Sequence, residues 1–414
     1  MAHRVARLAN HINANTSSSS SSSSSSRDND VVIIDAIRTP LCKAKRGGFA
    51  TTTPDLLLSQ VLKAIIDRNK LSPNNIQDIC VGNVLQAGGG AVMARMAQFE
   101  AEIPETVSLS SVNRQCSSGL QAIANIYGAI KAGSIDAGIG AGVESMSFNS
   151  MSDATPTVDF ETVSNYQLAR DCMIPMGITS ENVAEKYGIT RDDQDSFAER
   201  SHARASAAQA SGEFKDEIIP TQTKEGKIIT QDDGVRAGTT KQSLSKLQPA
   251  FKEGGSTTAG NSSQMTDGAA AVLLMRRSYA EKLGLKPIGV LRSFSVVGVP
   301  PDIMGIGPAV AIPAAIKQAN LTINDISVFE INEAFASQAV YCVRELGLES
   351  SLNTKHRINP LGGAIALGHP LGCTGARQTA TLLHYMKRHN LRYGIVSMCI
   401  GTGMGAAAVY ERED

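Results

Sequence analysis

Apolar and polar positions along this chain follow two periods. Val31 to Ala36 is apolar but for Asp35, a run that suits a buried strand. Pro54 to Lys70 is amphipathic at helical spacing, with Asp55 suited to the first turn and Arg68 and Lys70 to the last. Ile79 to Val81 begins a second strand. Gly119 to Ala132 predicts a helix ended by Gly133, followed by a short apolar strand over Ile135 to Gly142. Val328 to Ile331 and Tyr393 to Met398 predict further strands. Such alternation predicts an α/β fold with a covered sheet.

The architecture is written twice. Leu71-Ser72-Pro73-Asn74-Asn75-Ile76 matches Leu321-Thr322-Ile323-Asn324-Asp325-Ile326, each after a helical pattern and before a strand. Ser117-Ser118-Gly119 matches Cys373-Thr374-Gly375, and Gly138-Ile139 matches Gly394-Ile395. Gly268-Ala269-Ala270-Ala271-Val272 matches Gly405-Ala406-Ala407-Ala408-Val409. These blocks keep their order, which points to two similar halves. A polar stretch with helical patterns at Ser180 to Tyr187 and Arg191 to Ser211 reads as an insertion suited to substrate contacts. The expected division is 31–146 with 258–287, an insertion over 147–257, and a second half over 288–414. Residues 1–30 stand apart, because the serine tract Ser17 to Ser26 cannot bury apolar surface.

Composition narrows the function. The chain has 414 residues, and its Lys plus Arg equal its Asp plus Glu at 39 each, which argues against a nucleic-acid partner. Trp is absent, and no apolar run is long enough to span a membrane. Seven cysteines are widely spaced with no C-x-x-C, so neither a disulfide framework nor a metal site is expected. Cys42, Cys80, Cys172 and Cys342 read as small buried hydrophobes, and Cys373 as a packing residue.

Three glycine-rich islands carry the chemistry. Cys116, in Asn113-Arg114-Gln115-Cys116-Ser117-Ser118-Gly119, stands at a helix start, where unpaired N–H groups favour a thiolate. Ser117, Ser118 and Gly119 are small and leave room for an acyl group. His369, in Gly368-His369-Pro370, sits in a turn stiffened by proline and can take a proton from a thiol. Cys399, in Cys399-Ile400-Gly401-Thr402-Gly403, ends a strand and can exchange a proton with carbon, while the Gly401 amide can donate to an oxyanion. Asn332, in Asn332-Glu333-Ala334-Phe335, is either a strand-end ligand for a carbonyl or water, or a helix N-cap. His202, His356, His384 and His389 read as structural or solvated.

Taken together, Cys-Ser-Ser-Gly, Asn-Glu-Ala-Phe, Gly-His-Pro and Cys-Ile-Gly-Thr-Gly, in this order over 30–414, resemble the thiolase family, in particular its peroxisomal 3-ketoacyl-CoA type. The resemblance implies duplicated βαβαβαββ halves packed in layers, with an inserted loop domain in the first. It implies an acyltransferase that uses CoA to cleave 3-ketoacyl-CoA into acetyl-CoA and a shortened acyl-CoA, the last step of fatty acid β-oxidation. Cys116 would be the acylated nucleophile, His369 its base and Cys399 the acid/base for the departing acetyl-CoA. Asn332 (through a water) with His369 would form one oxyanion hole, and the amides of Cys116 and Gly401 the other. Arg236 and Ser243 match positions at the nucleotide end of CoA, and Ser263 one near the pantetheine. CoA is then a substrate, no cofactor is required, and a homodimer is expected.

In residues 1–30, Arg4-Val5 and His11-Ile12 resemble the amino-terminal peroxisomal targeting nonapeptide, with Ile12 where that signal has Leu or Ala. This implies an import receptor as partner and a peroxisomal location. The alternatives are an acetoacetyl-CoA thiolase, a β-ketoacyl synthase-like condensing enzyme, a zinc or redox protein, and a non-catalytic CoA-binding scaffold.

Overall fold

The computed structural model describes residues 30–151, 156–354 and 357–413, so the targeting segment and His356 lie outside the described residues. Strands β1 (Val31–Arg38), β2 (Cys42–Lys43), β3 (Asp78–Gly82), β4 (Ser108–Val112) and β5 (Ala137–Ser145) precede a short hairpin of β6 (Thr221–Gln222) and β7 (Ile228–Ile229). Then follow β8 (Thr266–Arg276), β9 (Gly289–Gly298), β10 (Val328–Ile331), β11 (Tyr393–Ile400) and β12 (Met404–Arg412). The large sheet runs β10-β11-β12-β9-β1-β8-β5-β3-β4, with β2 beside β8. Read outward from its centre, β1-β8-β5-β3 repeats as β9-β12-β11-β10, so the duplication is a symmetry of the sheet. The matched glycines hold equivalent registers, Gly138 opposite Asp78 and Gly394 opposite Val328.

Strand alternation divides the core into layers. Val31 and Ile33 face inward with Val272 and Leu274, against the helices Ser118–Lys131 and Thr374–Arg388. Val32 and Ile34 face outward with Ala271 and Leu273, against the helix Pro54–Arg68. In the second half Ala406 and Ala408 join the inner cluster, while Ala407 and Val409 pack under the helix Gly307–Gln318. The order is helix, sheet, central helix pair, sheet, helix.

The two central helices approach at matched glycines. A Cβ added to Gly375 would lie 2.3 Å from the Leu120 nitrogen, and one added to Gly119 2.6 Å from the Gly372 carbonyl. Only glycine admits backbone this close. Both helix starts are thereby brought to the centre of the molecule.

Between β5 and β8 the chain forms further helices, chiefly Met176–Tyr187 and Arg191–Ala210, the latter opened by a Thr190–Asp193 capping box. Among the described residues, no helix is long and apolar enough to cross a membrane.

Candidate active site

Cys116 lies two residues before its helix, in a turn that needs a left-handed residue at Gln115 (φ 46°). The Arg114 N–H donates to Ser118 Oγ at 2.9 Å, and that hydroxyl donates to the Gln115 carbonyl at 2.6 Å. Ser117 Oγ donates to the Arg114 carbonyl at 3.0 Å. The two serines are therefore buried stitches of the turn, not open space for an acyl group. Cys116 itself is half-buried and packs against the Val84, Met146 and Leu371 cluster.

The expected thiolate is not the resting state. Enclosure pushes the Cys116 thiol up to about 11; N–H groups of Gly401 and Cys116 itself oppose this, and the Glu144 charge adds to it.

Cys399 lies inside β11 opposite Gly405, since the strand runs on to Ile400. It is fully buried against Met304, Ala334 and Phe335. Burial raises its thiol well above the usual range, and the next largest cause is the Cys116 charge, so Cys116 lies near enough to act on it. The Gly401 amide faces the Cys116 sulfur from the turn after β11.

His369 follows Gly368, whose φ of 106° only glycine takes easily. Its N–H donates to the Gln264 carbonyl at 3.0 Å, its Nδ1 lies 2.6 Å from Thr374 Oγ1, and its Nε2 lies 3.3 Å from Asn332 Nδ2. Burial, then the Arg377 cation, push its pKa down to about 3, so the imidazole is neutral. The loop returns to Cys116 through Leu371, two residues on.

Asn332 is not an N-cap. The next helix begins at Ala336 after Phe335, and the Asn332 N–H extends the β10–β11 ladder to Ser397 O at 2.9 Å. Its neighbour Glu333 accepts from Ser201 Oγ at 2.6 Å and from Asn359 Nδ2 at 2.8 Å, which clamps this corner.

The residues expected near CoA fare unequally. Ser263 donates its N–H to Ala334 O at 2.9 Å, beside Asn332. Arg236 is exposed, but its segment reaches the His369 loop through Gln264, whose Nε2 donates to Gly234 O at 3.1 Å and Ala366 O at 3.0 Å. Ser243 is exposed and pairs with Thr240 in its own capping box. Cys42, Cys80, Cys342 and Cys373 are buried as expected, but Cys172 is exposed, because its short helix lies on the surface. His202 is buried and accepts the Arg236 N–H at 3.3 Å, and His384 Nε2 lies 2.8 Å from Ala36 O.

Sequence reading missed Glu144. Fully buried at the end of β5, it accepts N–H groups from Val84 (3.1 Å), Leu85 (3.2 Å) and Gly372 (2.9 Å). It thereby ties the first half to the His369 loop. A lone carboxylate closing an apolar strand was the available signal.

Residues 31–278 match the thiolase N-terminal domain and 285–412 the thiolase C-terminal domain. The chain is 61% identical over 392 residues to the peroxisomal 3-ketoacyl-CoA thiolase A of Mus musculus, covering 92% of this chain and 91% of that protein. It is 59% identical over 391 residues to the peroxisomal 3-ketoacyl-CoA thiolase of Homo sapiens, covering 92% and 91%. The crystal structure of the dimeric peroxisomal thiolase of Saccharomyces cerevisiae superposes with a TM-score of 0.89 at 46% identity, covering 94% of this chain and 98% of that one. With both family domains matched in order along a duplicated, layered α/β fold, the chain belongs to the thiolase family.

Proposed function

We propose that this chain is a peroxisomal 3-ketoacyl-CoA thiolase working through an acyl-cysteine. The observation that carries this reading is the grouping of two neighbouring thiols, the Gly401 amide facing Cys116, and a buried neutral imidazole beside Asn332. A neutral His369 is ready to accept a proton, and a protonated Cys116 has one to give.

His369 Nε2 takes the Cys116 proton as sulfur attacks the 3-keto carbon of a 3-ketoacyl-CoA. The new oxyanion is held by N–H donors, from Cys116 and Gly401 on one side and from Asn332 (through water) with protonated His369 on the other. The C2–C3 bond then breaks, its electron pair passes to C2, and Cys399 supplies the proton that completes acetyl-CoA. Free CoA passes its thiol proton to the Cys399 thiolate as its sulfur takes the acyl group, and Cys116 leaves as the thiol by recovering its proton from His369. CoA is a substrate here, and no resident cofactor takes part. Arg236, Ser243 and Ser263 are assigned to CoA. This reading takes 31–146 with 258–287 and 288–414 as the catalytic halves and 147–257 as the substrate-facing insertion.

The peroxisomal relatives and the dimeric yeast structure support a peroxisomal homodimer. The import receptor is assigned to residues 1–30; fused to a fluorescent protein, they give punctate signal, and diffuse signal removes that assignment. Cys116→Ala tests the chemistry. It abolishes thiolysis while circular dichroism is unchanged, and the wild-type peptide containing Cys116 gains an acyl mass on mixing with substrate. Full turnover in the variant removes the nucleophile.

A further inference from the structure

His369 has two ring nitrogens, and only one can be the base. Its Nδ1 lies 2.6 Å from Thr374 Oγ1, and the same hydroxyl lies 3.0 Å from the Pro370 carbonyl. Thr374 is fully buried, and His369 is 5% exposed, so bulk water does not reach this contact. A hydroxyl has one proton and two lone pairs, whereas a carbonyl oxygen only accepts. Without a proton between them, two buried oxygens 3.0 Å apart would set lone pair against lone pair. With the hydroxyl proton placed on Pro370 O, as a third donor beside the N–H groups of Cys373 and Thr374, the side of Thr374 Oγ1 that faces the ring is an acceptor. Nδ1 then donates. This step needs no choice of orientation for the Asn332 amide.

The sequence builds the contact locally. Cys373 and Thr374 both donate N–H to Pro370 O, at 2.9 and 3.0 Å, which folds the helix start back over the imidazole. The first half repeats the device. Ser118, the counterpart of Thr374, uses its hydroxyl to hold Arg114 and Gln115 around Cys116. Each central helix thus opens with a hydroxyl residue that fixes the reactive loop before it.

We propose that Thr374 is a positioning residue that holds His369 in the tautomer protonated on Nδ1, leaving the Nε2 lone pair to receive the Cys116 proton. This rests on the assignment of His369 as the base. A general base typically contributes about 10²- to 10⁴-fold, so partial loss of its correct tautomer is expected to lower activity by about 10- to 100-fold.

Nitrogen NMR of histidine-labelled resting protein reads the tautomer directly, with His369→Ala identifying the signals. A pyrrole-type Nδ1 and a pyridine-type Nε2 are expected; the reverse pattern in the wild type overturns the proposal. Thr374→Val lowers kcat by about 10- to 100-fold with KM changed much less, whereas Thr374→Ser restores both. A Thr374→Val enzyme with wild-type kcat also overturns it. If Thr374→Val does not fold, the wild-type spectrum and the serine variant decide. Full turnover in His369→Ala would remove the base assignment instead, leaving the measured tautomer standing.

Discussion

At the scale of single residues, the resting site is a neutral pair. Cys116 is raised to about 11 and His369 lowered to about 3, so between these limits thiol and imidazole each keep their uncharged form. The sign gives a prediction. Alkylation of resting Cys116 by iodoacetamide, followed on its own peptide because Cys172 is exposed, rises about tenfold per pH unit between pH 6 and 9. A rate flat across that range would mean that a thiolate–imidazolium pair is already formed, and the neutral-pair account fails. Cys116, His369 and Cys399 were legible in the sequence because each is a reactive side chain inside an unusual string. Glu144 and Glu333 were not, because they act through partners far along the chain: Gly372 lies 228 positions from Glu144, and Ser201 132 from Glu333. Thr374 was not either, though His369 is only five positions away, because a hydroxyl residue at a helix start is too common to stand out.

At the scale of elements, the central helices show what the duplication preserves. Their crossing needs glycine at Gly375, where an added Cβ would meet Leu120 backbone at 2.3 Å. Gly375→Ala is expected to cost on the order of 3 kcal/mol, read as a lower denaturant midpoint. Gly128, exposed on the first of these helices, has nothing within 4 Å of an added Cβ. There Gly128→Ala should stabilise by about 0.5–1 kcal/mol, since the unfolded chain loses freedom. Equal shifts for the two variants would mean that helix propensity, not packing, governs the crossing. The matched blocks exposed this repeat because their Gly and Ala residues recur at fixed places in both halves. The strand β4 was not legible, since Ser108-Leu109-Ser110-Ser111-Val112 is too polar to read as buried, and it is a sheet edge in the structure. Nor was the joining of β1 to β9 through Val32 and Ile33, which has no local signal.

At the scale of the whole molecule, the stretch between β5 and β8, proposed above to carry the CoA contacts, must be fixed to both halves to act on Cys116. Arg38, at the end of β1, does this. It is fully buried, donates through Nε to Glu217 at 2.6 Å, and holds Asp232 bidentately at 2.7 and 2.9 Å. Both carboxylates come from that stretch, and Thr381, on the second central helix, donates to Glu217 at 2.9 Å. Such an ion pair adds little against an apolar replacement, yet breaking it strands two buried charges. Arg38→Met is therefore expected to lose about 3–5 kcal/mol, read as a lower thermal and denaturant midpoint. Because Arg236 follows Asp232 by four positions, the KM for CoA should rise by a larger factor than kcat falls. Adding Glu217→Gln and Asp232→Asn removes the stranded charges and recovers part of the loss. If Arg38→Met alone is nearly neutral, the network does not anchor the stretch, and the apolar contacts around it must.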